Sequence, residues 1–309
     1  SYYAVNFTNR PIETSAMSLP YRILPLSSPK FNTRKLPKIL SSALASSSIA
    51  MGMIGLLSIP AQAADLMYDS TYLNYTLPKT VTETCYSRKD YTCPEITIKY
   101  AKSSQDWINN IINNRINQLL PELQTGYEAE SKNKPKRMSE SDVKKLLDNF
   151  AKSQLKDIDE GSSLNYHFEV EPNYLGHVGS VELFEITSYV YLGGAHGVGY
   201  AEYLMFDMDS KQQITLKDVL NSGQQTKFKA LAYTEYKDWV KQSDNDVKTF
   251  EQNWPFVMTD NAALTDKGIT LTYQPYEIAP YAYGMPKLTV PYAKLKGIVK
   301  PKYLPQSNK

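Results

Sequence analysis

The sequence predicts an α+β fold in which a mainly antiparallel sheet packs against several helices, arranged as two closely associated subdomains. Two observations carry this expectation. Stretches with three- and four-residue apolar spacing and stretches with alternating spacing fall in separate blocks, with no regular strand–helix–strand succession of the kind that builds a parallel sheet. The 309 residues, 42% hydrophobic and 21% charged, suffice for one large domain or two small ones with cores, and show no internal repeat.

Residues 1–16, with Asn6, Asn9 and Arg10, read as an upstream extension outside the fold, with Met17 the expected start. Residues 17–63 read as a signal peptide. Arg34, Lys35 and Lys38 form a positive region, Ile39 to Ile59 an apolar stretch, and Ala61-Gln62-Ala63 a small-x-small cleavage site. An uncleaved membrane anchor is the alternative, since 21 apolar residues can span a bilayer. The six Ser and two Gly in the stretch, and the cleavage motif directly after it, favour an exported product, periplasmic and without a membrane span. That product begins at Ala64 with 28 Lys and Arg against 31 Asp and Glu. Its net charge of −3 gives no support for nucleic-acid binding, which needs a basic face, and suits a cationic protein partner.

Residues 64–130 form the expected N-terminal subdomain. Lys79 to Tyr86 and Glu95 to Tyr100 alternate in polarity around a short loop and predict a β-hairpin. Cys85 and Cys93, the two cysteines of the chain, are placed for a disulfide across that loop, whose closure contributes roughly 2–3 kcal/mol in the chain-entropy model. A metal site there lacks further ligands, since the nearest histidine in sequence is His167. Trp107, Ile108, Ile111, Ile112, Ile116, Leu119 and Leu120 predict an amphipathic helix that begins behind Ser104 and stops at Pro121.

Residues 131–309 form the expected C-terminal domain, entered through a charged stretch at 124–138. Ser139 with Asp142 resembles a capping box and opens a helix through Leu155. Strands are expected at Tyr166 to Val170, Val178 to Leu192 and Tyr200 to Asp207, with a polar turn at Asp209-Ser210-Lys211. Thr215 with Asp218 caps a short helix, and Phe228 through Val240 lie on a longer one ending near Gln242. Strands return at Ile269 to Tyr273 and Lys287 to Val290.

Two loops carry the candidate binding residues. In Gly193-Gly194-Ala195-His196-Gly197 the glycines permit close backbone approach. The loop either presents His196 to a partner or is a tight hairpin in which His196 bonds neighbouring backbone. It lacks the Gly-Lys-Ser/Thr of a phosphate loop. Tyr276, Pro280, Tyr281 and Tyr283 concentrate rigid rings in eight residues, which supplies contact area at low entropic cost or covers the edge of the core. Glu169 and Glu171 share one strand face, as an acid–base pair of a glycosidase would, although a solvated face explains them as well. Asp207 and Asp209 lack the remaining ligands of a calcium loop. Catalytic residues, metals and cofactors are therefore assigned to none.

Tyr189 to Gly197 followed by Phe206-Asp207 and Ile214 to Leu220, then Tyr276 to Gly284, then Leu288 to Leu295, resemble in this order the C-terminal domain of RsiV-like and PdaC-like proteins. That domain is the domain of unknown function 3298. The segment from Cys93-Pro94 through the Trp107 helix is similar to its 4163-like N-terminal companion. The resemblance implies a cell-wall-facing binding domain, because RsiV-like proteins are membrane-anchored anti-sigma factors whose outer domain binds lysozyme. This chain lacks both a cytoplasmic sigma-binding segment and the Thr-x-Asp-Asp or His-x-x-x-His of a deacetylase. The expectation is a non-catalytic binder of a lysozyme-fold muramidase or another cell-wall protein. A peptidoglycan-binding module is the alternative, and a hydrolase built on His196 or on Glu169 and Glu171 the third.

Overall fold

A computed structural model describes residues 66–89, 91–126, 138–159, 162–243 and 245–305. The expected signal peptide, its cleavage site and most of the charged stretch at 124–138 lie outside these residues. The described residues belong to one compact unit.

The fold is α+β. A six-stranded sheet runs in the order β1 (Tyr68–Tyr72), β2 (Glu95–Ser103), β3 (His167–Val178), β4 (Val181–Tyr191), β5 (Val198–Asp207) and β6 (Gln212–Ile214). All neighbours are antiparallel except β2 and β3, where Glu95 to Ile98 pair in parallel with His167 to Val170. The crossover that parallel pairing needs is made by α2 (Asp106–Leu123) and α3 (Glu140–Asp157). A second sheet holds β7 (Ala262–Leu264), β8 (Gly268–Thr272) and β9 (Lys287–Pro291).

Alternation along the central strands divides the interior in two. Phe184, Ile186 and Val190 of β4 and Tyr200, Leu204 and Phe206 of β5 join one core with α2 and α3. Val181, Leu183 and Met205 join a second core with α5 (Gln225–Gln242) and the three-stranded sheet. On α2, Ile108, Ile112 and Ile116 recur at four-residue steps and are fully buried, each stabilising by about 1.5–3 kcal/mol. The Ser139–Asp142 capping box is present, with Ser139 Oγ accepting from Asp142 N at 3.2 Å, and so is that of Thr215 and Asp218 before α4 (Leu216–Val219).

Several expectations are corrected. Lys79–Ser87 is helix α1, not the first strand of a hairpin. Its buried residues are Val81 and Cys85, four apart, which line one face of a helix packed on α3. The antiparallel partner of β2 is instead β1, with Tyr68 opposite Ser103 and Tyr72 opposite Lys99. Helix α2 starts behind Gln105 rather than Ser104 and continues through Pro121. Pro121 falls in the last turn and cannot donate to the carbonyl four residues back, but the burial of Leu119, Leu120 and Leu123 outweighs that one lost bond. Strand β3 runs on through Pro172 to Val178, with an irregularity between Tyr174 and Gly176, and β4 begins only at Val181.

Cys85 and Cys93 are thiols, not a disulfide. They do not face each other across a hairpin loop: Cys85 is buried on α1 and Cys93 half-buried just before β2, the two thiols within hydrogen-bond reach. Burial, together with a hydrogen bond to Cys93, pushes the Cys85 thiol above its ordinary value.

Candidate functional site

The two loops singled out in the sequence meet. The Gly193–Gly197 loop joins β4 to β5, and the Tyr276–Tyr283 loop leads from β8 toward β9. Tyr281 lays its ring on the exposed His196 at 3.8 Å between centroids and 20° between planes. Its hydroxyl donates to Gly197 O at 2.7 Å. His196 Nδ1 donates to the same carbonyl at 3.0 Å, so the imidazole is fixed by both an edge and a face.

Gly197 is required there: a Cβ on it would stand 2.3 Å from the Tyr189 ring. Gly193 takes φ = 81°, and a Cβ on it would press on Ile158 at 3.2 Å. Gly194 and Ala195 are exposed at the tip.

The second loop opens with a turn in which Glu277 N donates to Gln274 O at 3.2 Å. Pro275 and Tyr276 occupy its centre, and Tyr276 has φ = 69°, the pattern of a type II turn in which the third place favours glycine. Tyr276 is nonetheless 53% exposed, with its ring 5.7 Å from that of Tyr281. Pro280 leads into a 3-10 turn at Tyr281–Tyr283. Tyr283 belongs to a different group: it packs edge-on against Trp239 at 5.5 Å and Phe250 at 5.9 Å, and its hydroxyl accepts from Asn245 Nδ2 at 2.8 Å. It ties the loop to α5 and α6 (Val247–Asn253) rather than to His196.

Exposed Tyr189 and Leu192 lie at the β4 end of the same surface and were not singled out in the sequence, where both read as strand. Cys85 and Cys93 belong to the first core. Glu169 and Glu171 share a face of β3 as expected, with Glu171 accepting from Lys99 Nζ at 2.7 Å and Glu169 lying 3.4 Å from His167 Nε2. Asp207 is buried and is held by Lys302 Nζ at 2.6 Å and Tyr303 Oη at 3.2 Å. Among the described residues no group of three or more His, Cys, Asp or Glu is arranged to hold a metal ion.

Sequence reasoning also missed how the loops are braced. Strand β6 is short, and beyond it the edge of β5 is closed by side-chain amides. Ala201 N donates to Gln274 Oε1 at 3.2 Å, while Ala201 O accepts from Gln274 Nε2 at 2.7 Å and from Asn261 Nδ2 at 2.8 Å. Tyr203 N donates to Asn261 Oδ1 at 2.8 Å. Two amides thus satisfy backbone groups that a further strand would otherwise take. Beside them lies a cavity of about 380 Å³ reached by Arg115, Tyr200, Glu202, Asn261 and Glu277. Arg115 holds Glu202 through Nε at 2.8 Å and Nη2 at 2.8 Å.

A family model described as "Protein of unknown function (DUF3298)" matches residues 217–293, and that domain is present in this stretch. Comparison with curated proteins returned no significant match. The fold is similar to that of a DUF3298 family protein from Pseudomonas aeruginosa PAO1, at 23% identity over 79% of this chain and 96% of that one, with a TM-score of 0.55. It is also similar to a member of the DUF3298 family from Bacteroides fragilis NCTC 9343, at 18% identity over 77% of this chain and 94% of that one, with a TM-score of 0.53.

Proposed function

We propose that this chain is a non-catalytic binding protein that acts in the periplasm and covers the cleft of a lysozyme-fold muramidase or another cell-wall protein. The observation that carries the reading is the meeting of the two loops, which sets His196, Tyr276 and Tyr281 beside exposed Tyr189 and Leu192 on one braced surface. Rigid aromatic rings held in place lose little entropy on binding, the property of interface anchors. The acidic balance of residues 64–309 suits a cationic partner, and the resemblance to RsiV-like proteins points the same way.

The test is a pull-down of the chain with hen-type and goose-type lysozymes, followed by a muramidase inhibition assay. Binding at micromolar concentration or tighter is expected, with Tyr281→Ala weakening it roughly thirtyfold, the loss of about 2 kcal/mol typical of an anchor. If no lysozyme is retained at micromolar concentration, the reading fails.

One feature favours peptidoglycan as the partner instead. A groove of about 410 Å³ runs beside Phe250, Trp254, Pro280 and Tyr283, edged by Asn245 and Asn253, a mixture of ring faces and amides that suits a glycan. Retention of the chain on purified sacculi without any protein partner would select that reading.

A further inference from the structure

The cavity beside the amide-closed edge of β5 has a chemistry of its own. Its floor is a paired charge: Glu202 accepts from Arg115 at two positions and from the Tyr200 hydroxyl at 2.5 Å. That pair carries no net charge. Glu277, which also lines the cavity, is different. It accepts one backbone hydrogen bond, from Gln274 N at 2.8 Å, and no Lys or Arg pairs with it among the described residues. Burial pushes its carboxyl above the ordinary value, against the effect of that one bond.

A half-buried carboxylate without a counter-charge is costly, and its environment offers what a cation needs. Tyr200 and Tyr203 line the same cavity, and aromatic rings attract positive charge over their faces. Lys287, which stands 5.4 Å over the Tyr203 ring, is engaged by Glu185 at 3.8 Å. Asp260, also on the lining and exposed, adds a further carboxylate. The volume of about 380 Å³ lies within the range of sites for small molecules.

We infer that this cavity is a binding site for an alkyl-ammonium or alkyl-guanidinium group, which pairs with Glu277 beside the two tyrosines. The group is either a free small-molecule cation or the lysine or arginine side chain of a protein partner. The inference stands on the cavity and not on the reading of the aromatic surface.

The test titrates the full chain with agmatine, followed by calorimetry and by NMR shifts of residues lining the cavity, with sodium acetate as the opposite-charge control. Millimolar binding of agmatine and none of acetate is expected. Glu277→Gln keeps the shape and the acceptor for Gln274 N, so it leaves the chain folded, with an unchanged or higher melting temperature, and weakens agmatine roughly tenfold or more. No binding up to about 10 mM, a free energy weaker than about −3 kcal/mol, or equal affinity in the folded Glu277→Gln variant, overturns the inference. Adding hen lysozyme separates the two sources. If lysozyme and agmatine compete, a partner's side chain fills the site. If agmatine binds undisturbed, or lysozyme does not bind at all, the site serves a free cation and stands independently of the proposed partner.

Discussion

At Tyr276 the backbone takes φ = 69°, a conformation that costs a residue with a Cβ about 1–2 kcal/mol. The side chain recovers little of this by burial, being 53% exposed. A strained and exposed aromatic at the centre of a turn is what the proposed function asks of a residue that touches a partner. Tyr276→Gly should therefore raise stability by about 0.5–1 kcal/mol in urea unfolding, after allowing for the greater freedom of glycine in the unfolded chain, while weakening partner binding. A loss of stability would show that the ring serves the fold. The tyrosines and His196 were legible in the sequence as candidates, because glycine clusters and ring clusters are visible locally. That Tyr281 bonds Gly197 across 84 residues was not, since no local pattern encodes such a meeting, and neither was Glu277, whose significance depends on burial.

Among the elements, those with a complete local signature were legible. Helices α3 and α4 have their capping boxes and α5 has its apolar spacing, and all three appear where the residues place them. Helix α1 was not legible, because Val81 and Cys85, four residues apart, fit an alternating strand as well as a helical face, and only packing on α3 decides between them. The parallel pairing of β2 with β3 was equally hidden, since it depends on the path of α2 and α3. The closure of β5 by Asn261 and Gln274 has no periodic trace at all. Asn261→Ala should leave Tyr203 N without its acceptor and remove one donor from Ala201 O, lowering stability by about 1–3 kcal/mol. Light scattering on heating should show earlier association than in the parent chain, through the uncovered strand edge. An unchanged melting temperature would mean that water or Gln274 alone suffices.

On the scale of the whole molecule, two carboxyls give opposite pH responses. Asp207 is buried, which opposes its charge, but hydrogen bonds from Lys302 and from the backbone of Asp209 outweigh burial and hold it below its ordinary value. Its contribution is present above the unfolded value near 3.8 and is lost as pH falls through the lower folded value. Glu277 is raised by burial, so its contribution is full below the unfolded value near 4.5 and is lost as pH rises through the folded one. Asp207→Asn should cost about 1.5–3 kcal/mol at neutral pH and flatten the acid limb of the melting curve, whereas Glu277→Gln should flatten the limb above pH 4.5. Exchange of the two behaviours would overturn both assignments. The closure of β5 also imposes an order in time. Ala201 waits for Asn261, 60 residues later, and for Gln274, 73 residues later. A chain delivered N-terminus first leaves that strand edge open until both amides arrive, an interval in which a neighbouring chain can add a strand, and in which a holdase would have the most to protect.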